Sequence, residues 1–141
     1  MSAGATEPAT RTEGKDRTML IALILVSVTL AAVAQLTLKH GMNQVTASSG
    51  ALRLTGSSLK DVVSTPAVWV GLVLFGLSAF VWLAVLSRAS LSFAYPFASL
   101  TYVIILIADR FLFHETVPPL RWAGVFFIMV GIVLVAQTGK A

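Results

Sequence analysis

Ser27, Ala31, Gln35 and Lys39 recur at every fourth residue of an apolar run, so they share one stripe if the run is a helix. A glutamine amide within hydrocarbon is costly unless it is hydrogen-bonded, so Gln35 is expected to face protein or a watery cavity. Lys39 sits near the end of the run, where its long stem lets the ammonium reach headgroup level. No Asp or Glu occurs between Arg17 and Lys60, so the stripe carries a cation and an amide but no acid. Two readings fit. One is a helix-packing glutamine beside a boundary lysine. The other is a polar groove whose cation attracts an anionic headgroup, where a phosphate at Lys39 would satisfy charge and hydrogen bonding together.

Tyr95, Ser99 and Tyr102, spaced four and three apart, make a second polar strip. Set against the Gln35 face, they would form a mixed cavity suited to an amphipathic substrate; alone, they read as a kinked helix with packing tyrosines. Pro96 within this strip removes an intrahelical hydrogen bond and frees the Ser92 carbonyl. Asp109 and Arg110 close the same run, followed by His114 and Glu115. Such charges read as a solvated helix end, or as acids placed to receive a cationic headgroup or a proton. Gly124 and Gly131, seven apart, share a face fit for helix packing or dimer contact, and Gly71, Gly76 and Ala79 would let an earlier run pack closely against a neighbour or a ligand tail. There is no nucleophile–base pairing, metal-ligand cluster or phosphate-cradling glycine loop. The expectation is a protein that is not an enzyme and needs no metal or cofactor.

These residues are positioned by long apolar segments. The 141-residue chain is 57% hydrophobic and 11% charged, with a mean hydropathy of +0.88. A soluble domain of this size has too much surface to hide that many apolar side chains. Charge is absent from Met19 to Leu38, Ala67 to Leu86, Leu91 to Ala108 and Trp122 to Ala136. Each is near the length of about 20 residues that crosses a bilayer core, and backbone in lipid must pair internally, so each is expected to be a helix. The spacing predicts spans at Met19–Lys39, Ala67–Ser87, Leu91–Leu112 and Leu120–Gln137. The fold class is all-α, a four-span membrane protein that needs a dimer to enclose a path.

Residues 1–18 read as a polar, disordered tail ahead of a retained first span rather than a signal peptide. Residues 40–66 read as a polar loop or an interfacial helix, with Leu52, Leu59, Val62 and Val63 on one face. Pro66 suits a first helical turn, and Trp69 and Trp82 suit the two membrane interfaces. The three-residue link Arg88–Ser90 demands a tight hairpin. Four spans put both termini on one side, with Arg11, Lys15, Arg17, Arg88 and Lys140; the other side holds Lys39, Arg53, Lys60, Arg110 and Arg121. With five basic residues on each side, the positive-inside rule favours neither orientation; a partner or local detail fixes it, or the chain inserts both ways and pairs antiparallel. The basic residues are scattered, so no nucleic-acid partner is expected.

The segments AQLTLKHG and AYPFASLTYVIILIADRFLFHETVPPLRWAGVFFIMVGIVLV resemble the small four-helix members of the drug/metabolite transporter superfamily. One branch, the small multidrug resistance family, shares the lysine ending span one and a glycine-bearing fourth span. Its cation- and proton-binding glutamate falls at Ala31 here, which can hold neither. The subunits that flip undecaprenyl phosphate-linked aminoarabinose are more similar, in Gln35 with Lys39, Tyr95-Pro96, and His114, Glu115, Val117, Trp122 and Gly124. That resemblance implies a multi-pass protein of the bacterial inner membrane. It also implies a lipid-linked sugar or related anionic lipid as cargo, and a second like or related small subunit as partner. On that reading Lys39 would hold phosphate while Gln35, Tyr95, Ser99 and Tyr102 bond the headgroup, with Asp109 and Glu115 as further substrate-binding candidates. The alternative is an efflux transporter of amphiphilic cations.

Overall fold

The computed structural model describes residues 7–49 and 56–138, with side chains at 12–47 and 59–138. Leu52, Arg53 and Lys140 lie outside them, as does the side chain of Arg11. Six helices follow one another: α1 (Glu7–Ser49), α2 (Gly56–Ser64), α3 (Pro66–Leu86), α4 (Leu91–Ala98), α5 (Leu100–Phe111) and α6 (Pro119–Gln137). Four stretches are long and apolar enough to cross a membrane, with α4 and α5 together forming the third.

At 1.5 Å per residue α1 is about 64 Å long, roughly twice a hydrocarbon core, so it must project beyond the bilayer. Arg17 and Lys39 mark its boundaries, since they stand 22 positions apart and so span about 33 Å. Helix continues on both sides. It runs back to Glu7, where the sequence suggests a disordered tail, and forward to Ser49, into the stretch that the sequence offers as a polar loop or an interfacial helix. The short helix α2 then leads into α3, which opens on Pro66 in its first turn, where the missing N–H leaves nothing unpaired. Trp69 ties the two together: its indole N–H donates to the Val63 carbonyl at 2.6 Å.

The third span is broken. Pro96 lies inside α4, and α5 starts afresh after Ser99, because proline supplies no N–H and its ring crowds the preceding turn.

All four spans meet in one buried cluster: Leu20, Ile24 and Val28 of α1, Val85 of α3, Phe93, Ala94 and Phe97 of α4, and Ile132 of α6. This cluster lies in the half of the bundle nearer Arg17. At that end the Arg17 guanidinium donates to the Ala136 carbonyl of α6, a cation at a helix C-terminus where the dipole favours it, and Arg88 reaches the Met19 sulfur at 3.5 Å. In midspan Ser27 and Ser78 clasp α1 to α3. Each hydroxyl donates to the other residue's backbone carbonyl, at 3.1 and 3.0 Å.

Toward Lys39 the contact of α1 with α3 stays close. Here α1 meets α3 where Gly71 admits the Leu38 side chain; a Cβ at Gly71 would stand 2.7 Å from Leu38 Cγ. A Cβ at Gly76, Gly124 or Gly131 would meet nothing within 4 Å. Gly71 thus serves the close packing expected of the α3 glycines; Gly76 does not, and Ala79 is exposed. The only buried residues of α6 among those described are Val125 and Ile132. Its remaining face, with Phe126, Phe127, Val133 and Leu134 exposed, is surface for lipid or for another subunit.

Candidate functional site

The acid missing from the stripe of α1 arrives from elsewhere in the chain. The Lys39 ammonium is 2.8 Å from Asp109 Oδ1 and 2.8 Å from Glu115 Oε1, and 4.7 Å from the centroid of the Phe113 ring. Asp109 comes from the last turn of α5, while Glu115 and Phe113 come from the segment joining α5 to α6. That segment folds back on the helix end. The Leu112 N–H bonds the Ala108 carbonyl at 2.7 Å and the Glu115 N–H bonds the Asp109 carbonyl at 3.0 Å. The reversal occurs at His114, whose φ of 54° is left-handed, a conformation that costs an L-residue roughly 1–2 kcal/mol. It brings Glu115 back beside Asp109.

The cluster is partly wet. Side-chain exposure is 31% for Lys39, 19% for Asp109 and 51% for Glu115. A Lys–Asp pair in this setting is screened less than one at a free surface, while the contact with Glu115 is worth little by itself. One positive and two negative charges leave the cluster net negative. Arg110 and His114 point to solvent and stand exposed.

Gln35 lies one turn from Lys39 toward the membrane centre. Helical geometry puts it on the packed stripe between Ala31 and Lys39, yet its side chain is exposed while Ala32 and Ala34 beside it are buried. Its amide makes no hydrogen bond among the described residues, and in hydrocarbon it requires a partner.

The strip of α4 and α5 does not converge on this point. Seven residues separate Tyr102 from Asp109, which is about 10 Å along a helix, and Tyr95 is about 21 Å away. Tyr95 sits in the other half of the membrane, edge-on to Trp82 with centroids 6.1 Å apart. Both tyrosines are exposed, at 59% for Tyr95 and 43% for Tyr102, and Ser99 is half-buried between them at the helix break. A single headgroup at Lys39 can reach Gln35 but not Tyr95, so these residues, expected to contact one headgroup together, lie at different depths. No group of three or more metal-ligating side chains occurs among the described residues.

Four spanning helices, a charge cluster at one membrane boundary and an exposed amide one turn inside it define a small multi-pass membrane protein. Sequence comparison narrows this. The chain is 43% identical over 74 residues to the "probable 4-amino-4-deoxy-L-arabinose-phosphoundecaprenol flippase subunit ArnE" of Escherichia coli, covering 51% of this chain and 67% of that protein. Proteins of the same name match at 41% identity in Pseudomonas fluorescens, over 52% of this chain and 64% of the relative, and at 38% in Pseudomonas savastanoi pv. phaseolicola, over 46% and 57%. The matches thus span about half of this chain and leave a third or more of each relative uncovered. No family model and no solved structure matches. The chain belongs to the family of these small flippase subunits, within the drug/metabolite transporter superfamily. It is a multi-pass protein of the bacterial inner membrane, in a family of transporters rather than enzymes.

Proposed function

We propose that the chain is a subunit of a flippase that moves a polyprenyl phosphate-linked sugar across the inner membrane. The observation that carries this reading is the position of Lys39: a cation at the hydrocarbon boundary, with the exposed Gln35 amide one turn inward. Moving a phosphate through hydrocarbon requires charge compensation and hydrogen bonds, whereas the polyprenyl tail needs only a lateral opening to lipid. Lys39 receives the phosphate and Gln35 the adjacent headgroup oxygens. Tyr102 and Ser99 form the next station and Tyr95 the last, near the opposite boundary. The freed carbonyl opposite Pro96 adds an acceptor along the way.

One copy is too thin to enclose such a path. The exposed α6 face bearing Gly124 and Gly131 supports pairing with a second small subunit, like or related, and the relatives' description as subunits fits. Rocking of the two subunits then exposes the path to either side.

The test is flipping of a polyprenyl phosphate-linked sugar by the full chain in liposomes, alone and with a related small subunit, against Lys39→Gln. The variant is expected to flip at least about tenfold more slowly, the effect of losing one charge-assisted contact to phosphate. Undiminished flipping would remove Lys39 from this role. The net negative charge of the cluster favours one other reading, export of amphiphilic cations. Proton-coupled cation flux that is abolished at Asp109 or Glu115 and indifferent to Lys39 would establish that reading instead.

A further inference from the structure

The Lys39 ammonium occupies a receptor. Two carboxylate oxygens at 2.8 Å and an aromatic face at 4.7 Å complement the three N–H donors and the charge of a primary ammonium. We propose that Asp109, Glu115 and Phe113 bind a primary ammonium on the substrate headgroup, and that Lys39 fills this receptor only while the substrate is absent. The proposal rests on the reading of Lys39 as the phosphate-holding residue.

Charge balance favours the exchange. The cluster carries one positive and two negative charges. A sugar phosphodiester brings one more negative charge, and with Lys39 turned toward it two carboxylates are left unpaired at the membrane boundary. Each uncompensated charge in that setting is costly. A headgroup that carries an ammonium as well as a phosphate restores the resting balance, because its cation enters the place Lys39 leaves.

Geometry allows it. Lys39 has a flexible four-carbon stem, and Glu115 is half-exposed on a connecting segment, so both can yield without unpacking a helix. Asp109 is anchored on α5 and stays. The receptor thereby selects for zwitterionic lipid phosphates and holds neutral-sugar or bare phosphates back, since those must break two ion contacts without replacing them.

The experiment uses the full-length chain in lipid nanodiscs and three probes: a polyprenyl phosphate bearing a 4-amino pentose, its N-acetyl derivative, and polyprenyl phosphate alone. Affinities are measured by native mass spectrometry for the wild type, Glu115→Gln, Asp109→Asn, the double variant and Lys39→Gln. The wild type is expected to prefer the free amine over the N-acetyl lipid by about tenfold or more, the size of one charge-assisted contact. Glu115→Gln should reduce that preference, and the double variant should bring it to within about twofold while binding the N-acetyl lipid as well as or better than the wild type. Glu115→Gln alters an exposed segment and keeps the test decisive should Asp109→Asn fold poorly. Equal wild-type affinity for amine and N-acetyl lipids, or a preference that survives the carboxylate substitutions, overturns the proposal and leaves the phosphate reading standing. Failure of all three lipids to bind, or binding indifferent to Lys39→Gln, overturns the phosphate reading itself and this inference with it.

Discussion

The clasp between Ser27 and Ser78 makes an unusual quantitative prediction. Both serines are buried, at 2% and 4% exposure, and they sit where water is absent. Each hydroxyl donates to the other's backbone carbonyl, not to the other's hydroxyl. Ser27→Ala therefore removes one of the two bonds and leaves the second intact, because its acceptor is main chain. Interhelical hydrogen bonds in membranes average about 0.6 kcal/mol and reach about 1.7, so each single variant should lose between roughly 0.5 and 1.5 kcal/mol. The double variant should lose the sum, with a coupling term within about 0.5 kcal/mol despite the contact between the residues. Thr37→Ala is the control: that hydroxyl bonds the Val33 carbonyl within its own helix, at 2.8 Å, so its loss should not loosen α1 from α3. The measurement is equilibrium unfolding in mixed micelles, followed by helicity and by a tertiary probe such as Trp82 fluorescence. Coupling above about 1 kcal/mol would refute the reasoning, since it requires hydroxyl-to-hydroxyl pairing and hence a different register of α1 on α3.

Two further pairs of glycines separate close packing from open surface. Gly71→Ala drives a methyl into Leu38 and should destabilise the bundle by about 1–3 kcal/mol, whereas Gly76→Ala meets open space and should be neutral or stabilising by up to about 1 kcal/mol; the same unfolding assay compares them, and equal losses would contradict the α1–α3 contact. Gly124→Leu with Gly131→Leu should leave the unfolding transition of the single chain unchanged within about 0.5 kcal/mol but lower the fraction of cross-linked pairs in membranes. Unchanged cross-linking would exclude the α6 glycine face as the subunit contact.

Much of this architecture is legible in the sequence because hydrocarbon permits so few solutions. Apolar runs of spanning length must be helices, since any other backbone would leave N–H and C=O groups unpaired. Pro66 and Pro96 mark a helix start and a helix break for the same covalent reason, and the structure places both there. The fourfold repeat of Ser27, Ala31, Gln35 and Lys39 follows from helical periodicity alone. The helical extensions of α1 beyond Arg17 and Lys39 were not legible, because polar residues in water are compatible with helix and coil alike.

What periodicity cannot supply is which stripes meet. The glycines at 71 and 76 look equivalent in sequence, and only the crossing of α1 and α3 makes one of them necessary. Tyr95 and Tyr102 share a strip with Ser99, but Tyr95 lies too far across the membrane to join a headgroup held at Lys39. The acids on Lys39 come from positions 70 and 76 residues onward, brought home by the end of α5 and a left-handed turn at His114. The sequence by itself determined the four helices and the polar groups each carries, because bilayer thickness and backbone hydrogen bonding act on each segment separately. Only the tertiary structure decided that Lys39 rests between two carboxylates and that Gln35 stays exposed, because electrostatics and packing act between segments that the chain order keeps far apart.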